Sequence, residues 1–257
     1  MISVVLAVYN EENNIRRCLE SVKEFADEIV VVDGSSIDQT REIAKQLGAK
    51  VIKTSNKPIF HINKQLAIDA AKHNLILQLD ADEVVDKELN LFIQELNQKL
   101  QKHPSSVKEK AWWLKRKNNF LGHWLKKGGQ YPDPVIRLFI RGKARLPQKS
   151  VHEQMEVEGQ VGWANGHLLH YSNPHLRDYW RKLQTYTSLE ATKLIEADQS
   201  MGLRKIFNYL LIKPISTFFN IFIRHKGFVD GVYGLLFAFL SASHFPIILF
   251  KFISKKS

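Results

Sequence analysis

The motif Asp80-Ala81-Asp82 places two carboxylates one residue apart, directly after the apolar run 75–79 (LILQL). A buried strand that ends in acids delivers them to the carboxyl edge of a sheet, where α/β proteins bind ligands. Mg²⁺ and Mn²⁺ prefer such oxygen ligands and usually share their coordination shell with substrate phosphates. The motif therefore predicts a metal-assisted phosphate site. The alternative is a helix N-cap, since either aspartate could cap a helix that begins near Val84.

Two further strand-like runs also end in polar side chains. Residues 2–9 (ISVVLAVY) precede residues 10–13 (NEEN), and residues 28–32 (EIVVV) precede residues 33–36 (DGSS). Asp33 before a glycine is also typical of a turn. Neither G-x-G-x-x-G nor G-x-x-x-x-G-K-[ST] occurs, so the sequence lacks the dinucleotide-binding and P-loop fingerprints.

Amphipathic stretches follow these runs and indicate helices. Residues 15–25 carry apolar side chains at helical spacing, Asp38 can cap a helix that runs to Leu47, and a short strand at 50–53 precedes a helix at 61–73. Strands that alternate with helices of this length predict right-handed βαβ crossovers and a parallel sheet covered on both faces. The predicted fold class is therefore α/β.

The net charge of +11 is concentrated in two blocks. Residues 102–150 hold 13 Lys and Arg against 2 acids, and residues 201–257 hold 8 against 1. Basic blocks attract nucleic acid, anionic lipid or anionic small substrates. No nucleic-acid-binding motif accompanies the charge, so a nucleic-acid partner is not expected. The lone Cys18 excludes an intrachain disulfide and favours a reducing compartment.

Long apolar stretches at residues 206–223 and 228–250 coincide with the second basic block. The second stretch is long enough to cross a bilayer, which takes about 20 apolar residues. However, Asp230, His244 and Pro246 interrupt it, and Lys213-Pro214 breaks the first. Since a charge deep in lipid is costly, two interfacial or re-entrant helices are predicted rather than two clean spans. A buried helical hairpin is the alternative.

Three motifs resemble the nucleotide-sugar signatures of family 2 glycosyltransferases: residues 4–13 (VVLAVYNEEN), 29–40 (IVVVDGSSIDQT) and 77–83 (LQLDADE). Downstream motifs are similar to the branch that contains lipopolysaccharide core β-1,4-glucosyltransferases: residues 131–142 (YPDPVIRLFIRG), 151–153 (VHE), 169–171 (LHY) and 224–236 (RHKGFVDGVYGLL). The resemblance covers nearly the whole chain. It implies the GT-A fold, a Rossmann-like, nucleotide-sugar-binding mixed sheet with helices on both faces, followed by membrane-associating C-terminal helices.

The resemblance also implies a domain organisation and an activity. Residues 1–200 would form the catalytic domain, with a nucleotide-sugar-binding half at 1–101 and an acceptor half at 102–200, and residues 201–257 a helical region. The expected enzyme is an inverting hexosyltransferase that moves glucose from a UDP-linked sugar to a lipid-linked saccharide such as lipopolysaccharide core. The expected partners are that donor, that acceptor and the cytoplasmic face of the inner membrane, on which the protein would be peripheral or re-entrant.

The expected cofactor is Mn²⁺ or Mg²⁺, which neutralises charge on the leaving diphosphate. Asp82 would hold the metal, Asp80 would contact the metal or the ribose, and His152 would add a ligand or orient the base. Inversion requires a carboxylate that takes the proton of the acceptor hydroxyl. Glu153 is the predicted general base, with Asp133 and Glu83 as competitors.

The remaining expected contacts are with the donor. Arg137 alternates with apolar residues on a predicted strand and could clamp a phosphate bidentately. Asp33 is expected to hydrogen-bond the base, as the resemblance implies. The full set of expected donor-binding residues is Ala7, Tyr9, Glu11, Asp33, Gly34, Ser35, Lys64, Ala81 and Arg137.

Three other functions are compatible with parts of the pattern. A polyprenyl-phosphate glycosyltransferase would use the same donor site with a lipid phosphate as acceptor. A nucleotidyltransferase also holds a metal with strand-end acids, but it would carry a Gly-rich, basic loop where residues 10–13 are acidic. An inactive membrane-bound binding module would not need the acids at positions 33, 80, 82 and 153.

Overall fold

The structure, a computed structural model of the 257-residue chain, describes residues 1–57, 59–147, 154–197 and 202–256. The chain forms two compact units. The sheet unit comprises Met1–Arg116 and Pro134–His170, and the helical unit comprises Lys117–Asp133 and Tyr171–Ser257. In this division a segment from the middle of the chain belongs with the C-terminal helices, and the predicted boundary between residues 200 and 201 stays a prediction. The predicted donor and acceptor halves stay a prediction.

The strands of the described residues are β1 (Ile2–Val8), β2 (Glu28–Asp33), β3 (Lys50–Lys53), β4 (Leu75–Leu79), β5 (Glu83–Val85), β6 (Glu109–Phe120), β7 (His123–Trp124), β8 (Asp133–Ile140), β9 (Ala144–Arg145), β10 (Glu156–Val157) and β11 (Gln160–Asn173). The α-helices are α1 (Ile15–Glu20), α2 (Thr40–Gln46), α3 (Phe60–Asp69), α4 (Lys87–Lys102), α5 (Leu176–Glu196), α6 (Leu203–Phe207), α7 (Lys213–Phe219), α8 (Gly231–Ala242) and α9 (His244–Lys256).

The central sheet has the order β3-β2-β1-β4-β8-β6-β11-β5, with β7 paired to β6. Strands β3, β2, β1 and β4 are parallel. Beyond them, β8 runs antiparallel to β4, and β11 runs antiparallel to β5. The sheet is therefore mixed. The first three strands were predicted from their apolar runs and end within one residue of the predicted positions.

Helices cover both faces of this sheet, as predicted. On one face, Val4, Leu6 and Val31 pack in one core with α1 and α4 residues such as Leu19 and Ile93. On the other face, the alternate strand residues form a second core with α3, which includes Val5, Val30, Val32, Ala67 and Ile68. Cys18 is buried in the first core, and burial raises the pKa of its thiol, so it acts as a small apolar side chain.

The segment after the aspartate pair differs from the prediction. Residues Glu83–Val85 form the short strand β5 rather than the start of a helix, and α4 begins only at Lys87. Asp86 is the N-cap of α4, since its Oδ1 accepts from the backbone nitrogen of Leu89 at 2.8 Å. The N-cap alternative for Asp80 and Asp82 is therefore wrong.

Among the residues that the structure describes, two helical segments are long and apolar enough to cross a membrane, and both lie in the helical unit. They are Leu203–Arg224, with mean hydropathy 1.4, and Gly227–Lys255, with mean hydropathy 1.8. The first segment is helical throughout, so the prediction that Lys213-Pro214 breaks it is wrong. π-helical turns at Asn208–Ile212 and Asn220–Arg224 flank α7, and Pro214 lies in the first turn of α7. Both segments are compatible with association with a membrane.

The second segment is partly covered by α5. The Nζ atom of Lys251 on α9 donates to the carbonyl of Gln184 at 2.7 Å and to the hydroxyls of Thr187 and Ser188, each at 2.8 Å. These bonds fix α9 along α5. Exposed apolar side chains remain on the segment 203–224, on α8 and on α9, where Phe250 is 69% exposed.

Candidate active site

The carboxyl ends of β1, β2 and β4 meet at one edge of the sheet. Val8 pairs with Asp33, and Leu6 pairs with Leu79, so that Asp80 follows β4 next to the end of β1. Parallel strands present their carboxyl ends on the same side, and the loops that follow form the ligand crevice of such sheets. The three strand-end motifs of the sequence therefore lie together.

The loops after β1 and β2 are bonded to each other. The backbone nitrogen of Asn10 donates to Ser36 Oγ at 2.9 Å, and that of Ile37 donates to Asn10 Oδ1 at 2.9 Å. The backbone nitrogen of Glu11 donates to Thr40 Oγ1 at 2.8 Å. Tyr9 is left 44% exposed at this edge. The loops therefore form one fixed wall from which an aromatic ring reaches solvent.

Asp33 is fully buried and organises the turn that follows β2. It accepts from the backbone nitrogen of Ser36 at 3.1 Å, and Arg41 Nε lies 3.7 Å from its Oδ2. A β-carbon on Gly34 would lie 3.2 Å from the Cα of Asn56, so a larger residue would be crowded there. The structure gives Asp33 the turn-forming role, and its contact with a base stays a prediction.

Asp80 lies between two cations. Lys64 Nζ forms an ion pair with its Oδ1, and Arg137 Nη2 with its Oδ2. Lys64 is held on α3, whereas Arg137 comes from β8, the strand antiparallel to β4. The carboxylate that was predicted to bind metal or ribose therefore also connects two cations that were predicted to contact the donor.

A second carboxylate, that of Glu83, stabilises the same cluster. Glu83 is fully buried, and its Oε1 lies 3.2 Å from Arg137 Nη2 and 3.4 Å from Arg116 Nη1. Its Oε2 accepts from the backbone nitrogen of Asp80 at 2.9 Å. Gln78 Oε1 accepts from Arg137 Nη1. A general base must reach a bound hydroxyl, and these contacts argue against Glu83 in that role.

The charges of this cluster oppose the effects of burial on one another. Burial alone would raise the pKa of Asp80, but Arg137 and Lys64 hold it well below its usual range. Burial lowers the pKa of Lys64, against the attraction of Asp80. The two carboxylates raise the pKa of Arg137 in spite of its burial. With Arg116, three cations face two carboxylates, so the cluster has an excess of positive charge that suits phosphate oxygens.

A cavity of ≈ 270 Å³ opens over this cluster. Its polar wall carries Lys64, Asp80, Arg116 and Arg137, and its apolar wall includes Phe60. The Lys64 ammonium lies 4.8 Å from the centroid of the Phe60 ring. The cavity can therefore receive an anionic group against the cations and a less polar group against the ring.

Asp82 is paired with a histidine from the end of the sheet unit. Its Oδ2 lies 3.3 Å from His170 Nε2, and His170 reaches this point because it pairs with Glu83 across β11 and β5. Both side chains are partly exposed. A carboxylate suits both Mn²⁺ and Mg²⁺, and of the two only the softer Mn²⁺ readily accepts an imidazole as well; oxygens of the sugar donor and water can fill the other positions. These two residues fit the expected metal better than Asp80, whose oxygens both contact cations.

Two of the predicted catalytic residues lie outside the described residues: Glu153, the predicted base, and His152, the predicted additional ligand. Their roles stay predictions. Within the described ranges, no group of three or more His, Cys, Asp and Glu side chains is placed to hold a metal ion. In the helical unit, the competitor Asp133 accepts from Asn118 Nδ2 at 3.1 Å.

Sequence reasoning missed His170, Arg116 and Gln78 as candidate site residues. His170 lies in a quoted motif, but 88 positions separate it from Asp82 and only the antiparallel pairing of β11 brings them together. Arg116 looked like one more cation in a basic block, and Gln78 like an interruption of an apolar strand. A polar residue within a fully buried run is a signal that could have identified Gln78.

Comparison with known proteins identifies related sequences and structures. The sequence model of the family described as Glycosyl transferase family 2 matches residues 3–144. A lipopolysaccharide core biosynthesis glycosyltransferase, LpsC of Rhizobium meliloti, is 30% identical over 94% of this chain and 90% of its own length. An uncharacterized glycosyltransferase of Rickettsia typhi is 28% identical over 93% of this chain and 83% of its own length. The crystal structure of S. aureus TarS 1-349 matches 94% of this chain and 80% of that chain at TM-score 0.47 and 17% identity.

The family match and the relative LpsC confirm the predicted family and enzyme class, and the observed mixed sheet with helices on both faces confirms the predicted fold class. They favour a glycosyltransferase over the nucleotidyltransferase alternative. The chain belongs to glycosyl transferase family 2 and is related to a glycosyltransferase of lipopolysaccharide core biosynthesis.

Proposed function

We propose that this glycosyltransferase transfers a hexose, glucose in the first instance, from a UDP-linked sugar to a lipid-linked saccharide such as lipopolysaccharide core, with inversion at the anomeric carbon. The observation that carries the acceptor class is the similarity to LpsC, which extends over 94% of the chain and therefore includes the acceptor-side and C-terminal segments. A relationship confined to the donor half would support only the donor class.

The cation cluster supports the donor side of the proposal. The bond to the sugar breaks more easily when the negative charge that grows on the leaving diphosphate is neutralised. Lys64, Arg116 and Arg137 line the cavity next to Asp80 and would contact that diphosphate. Asp82 and His170 would hold Mn²⁺ or Mg²⁺, which supplies Lewis-acid stabilisation when bound. Tyr9 and the turn at Asp33 and Gly34 would contact the nucleoside, with Ala7, Glu11, Ser35 and Ala81.

Inversion needs a base on the face of the sugar opposite the leaving group. We assign this role to Glu153. The burial and the two arginine contacts of Glu83 weigh against that competitor, which leaves Asp133 as the alternative to test. His152 would orient the base.

The proposed location is the cytoplasmic face of the inner membrane. Two apolar helical segments within a strongly basic region support it, because hydrophobic insertion and attraction to anionic lipid act together there. In this organisation, residues 1–101 serve the donor, residues 102–200 the acceptor, and residues 201–257 the membrane.

The test is an assay of purified full-length enzyme with a panel of nucleotide sugars and two acceptors, a lipid-linked core saccharide and a polyprenyl phosphate. We expect transfer from one UDP-hexose to the saccharide and a product of inverted anomeric configuration. Transfer to polyprenyl phosphate alone would replace the proposed acceptor. Retention of configuration would refute the base mechanism.

A further inference from the structure

The helical unit contains a buried carboxylate that the donor chemistry does not use. Asp230 is the only acid among residues 201–257, and its side chain is 1% exposed. Its Oδ2 accepts from the backbone nitrogen of Lys127 at 2.9 Å, and its Oδ1 accepts from that of Lys126 at 3.0 Å. His123 Nε2 lies 3.1 Å from the same Oδ1. A buried charge is stable only when it is paired and hydrogen-bonded, and these donors satisfy Asp230.

Further contacts fix the loop that Asp230 holds. The backbone nitrogen of Gly128 donates to the carbonyl of His225 at 2.9 Å. Gly128 has φ of +69°, and a β-carbon there would lie 3.4 Å from Ile221 Cγ2. The His123 ring stacks on Tyr233, with centroids 4.7 Å apart and an interplanar angle of 8°. The loop 126–129 is therefore anchored on the turn that joins the two apolar helical segments.

This anchoring brings two basic segments together. Lys126 and Lys127 come from the loop, and Arg224, His225 and Lys226 come from the turn; all five are exposed. We call these five residues the basic tip. Exposed apolar side chains follow it directly, with Phe228 at 51%, Val229 at 52% and Val232 at 61%.

Cations beside exposed apolar side chains are typical of a surface that lies at the boundary between lipid headgroups and acyl chains. The only acid of the C-terminal region is buried under the tip, where it binds backbone N–H groups and leaves the lysine side chains available. We infer that the basic tip is a docking surface for the phosphate groups of an anionic lipid membrane, with the neighbouring apolar residues inserted below them. This inference rests on the proposed membrane association and names the residues that carry its charge dependence.

The lysine side chains can be neutralised without disturbing Asp230, because Asp230 binds their backbone nitrogens. We therefore compare full-length wild type with Lys126→Gln/Lys127→Gln in co-sedimentation with phosphatidylcholine vesicles, with and without phosphatidylglycerol. The matched control is Lys99→Gln/Lys102→Gln, which removes two exposed lysines from α4 of the sheet unit. The tip variant should bind anionic vesicles about 30-fold more weakly, at about 5-fold per lysine. The control variant should change by less than about 2-fold, since its lysines lie outside the tip.

Each outcome separates this inference from the proposal on which it rests. Equal loss in both variants, or none in the tip variant, would overturn the role of the tip while membrane association stands. Failure of the wild type to bind either vesicle would overturn both. Release of the wild type by millimolar inorganic phosphate would show a site for free phosphate and would also overturn the lipid assignment.

A second variant tests whether Asp230 holds the tip together. Asp230→Asn puts an amide donor against backbone N–H donors, so we expect faster hydrogen exchange of the amides at 126 and 127. Binding to anionic vesicles should fall although every lysine is present. Fast exchange with undiminished binding would overturn the requirement for a fixed tip.

Discussion

Replacement of Arg137 tests the buried charge cluster most directly. Arg137→Met keeps much of the side-chain volume but removes the guanidinium that contacts Gln78, Asp80 and Glu83. Glu83 would then remain fully buried with Arg116 at 3.4 Å as its nearest cation. Removal of one partner from a buried ion pair typically costs about 3–5 kcal/mol, because the other charge is left uncompensated.

We therefore expect the free energy of unfolding at pH 7 to fall by about 3–5 kcal/mol in Arg137→Met, measured by urea denaturation. The matched control is Arg141→Met, an exposed arginine just after the same strand, which should change stability by no more than about 0.5 kcal/mol. Arg137→Lys keeps a positive charge without the planar guanidinium, so its loss of unfolding free energy should lie between those of Arg137→Met and Arg141→Met.

The pH dependence gives an independent check. Because the folded pKa of Asp80 is depressed, its stabilising contribution is present above the unfolded pKa, about 3.9, and is lost as the pH falls toward the folded value. Removal of Arg137 weakens that depression, so the gap between wild type and variant should narrow below about pH 4. A loss under about 1 kcal/mol at pH 7, or a gap independent of pH, would refute the cluster as a stabilising unit.

Four further outcomes follow from the site and the fold. Asp82→Asn and His170→Asn should each abolish turnover with the fold intact. EDTA should inactivate the wild type until Mn²⁺ or Mg²⁺ is restored, and full activity in excess EDTA would refute the metal assignment. Glu153→Gln should lower kcat at least ~10²-fold with donor affinity unchanged, and normal turnover would mean that the base is another residue. Gly166→Ala should lower the free energy of unfolding by at least about 2 kcal/mol, because φ is +84° and a β-carbon would lie 2.1 Å from a backbone nitrogen of α4. The control Gly142→Ala, at φ +77° with open space around it, should lower it by about 1 kcal/mol. High salt should release only part of the membrane-bound protein, since apolar contacts are insensitive to screening; complete release would argue against insertion.

The parallel half of the sheet was predictable because each of its strands is a local apolar run followed by a polar strand end. The antiparallel half was not. Strand β5 has three residues, and its partner β11 lies about eighty positions away, so neither local periodicity nor composition identifies the pair. The same limit explains why Asp86, rather than Asp80 or Asp82, is the N-cap of α4.

The residues of the candidate site also divide into those that the local sequence predicts and those that it does not. Asp80 and Asp82 follow from their position after a buried strand, and Arg137 from its alternation on β8. His170 and Arg116 join them only through pairings between distant strands, which a single sequence does not encode locally. Pro214 shows a further limit, because π-helical turns on either side of α7 let the helix pass a residue that would ordinarily end it.

The excess of positive charge around Asp80 has a thermodynamic consequence for the pair Asp82 and His170. A divalent ion bound by Asp82 and His170 alone would add positive charge beside a cluster in which cations already outnumber carboxylates. A bound diphosphate, in contrast, would attract both the divalent ion and the cations of the cluster. The two ligands should therefore bind with positive cooperativity, and by reciprocity each should raise the affinity of the other by the same factor. Calorimetric titrations of metal with and without nucleotide would measure that factor. The site would then select the metal–nucleotide complex over either component.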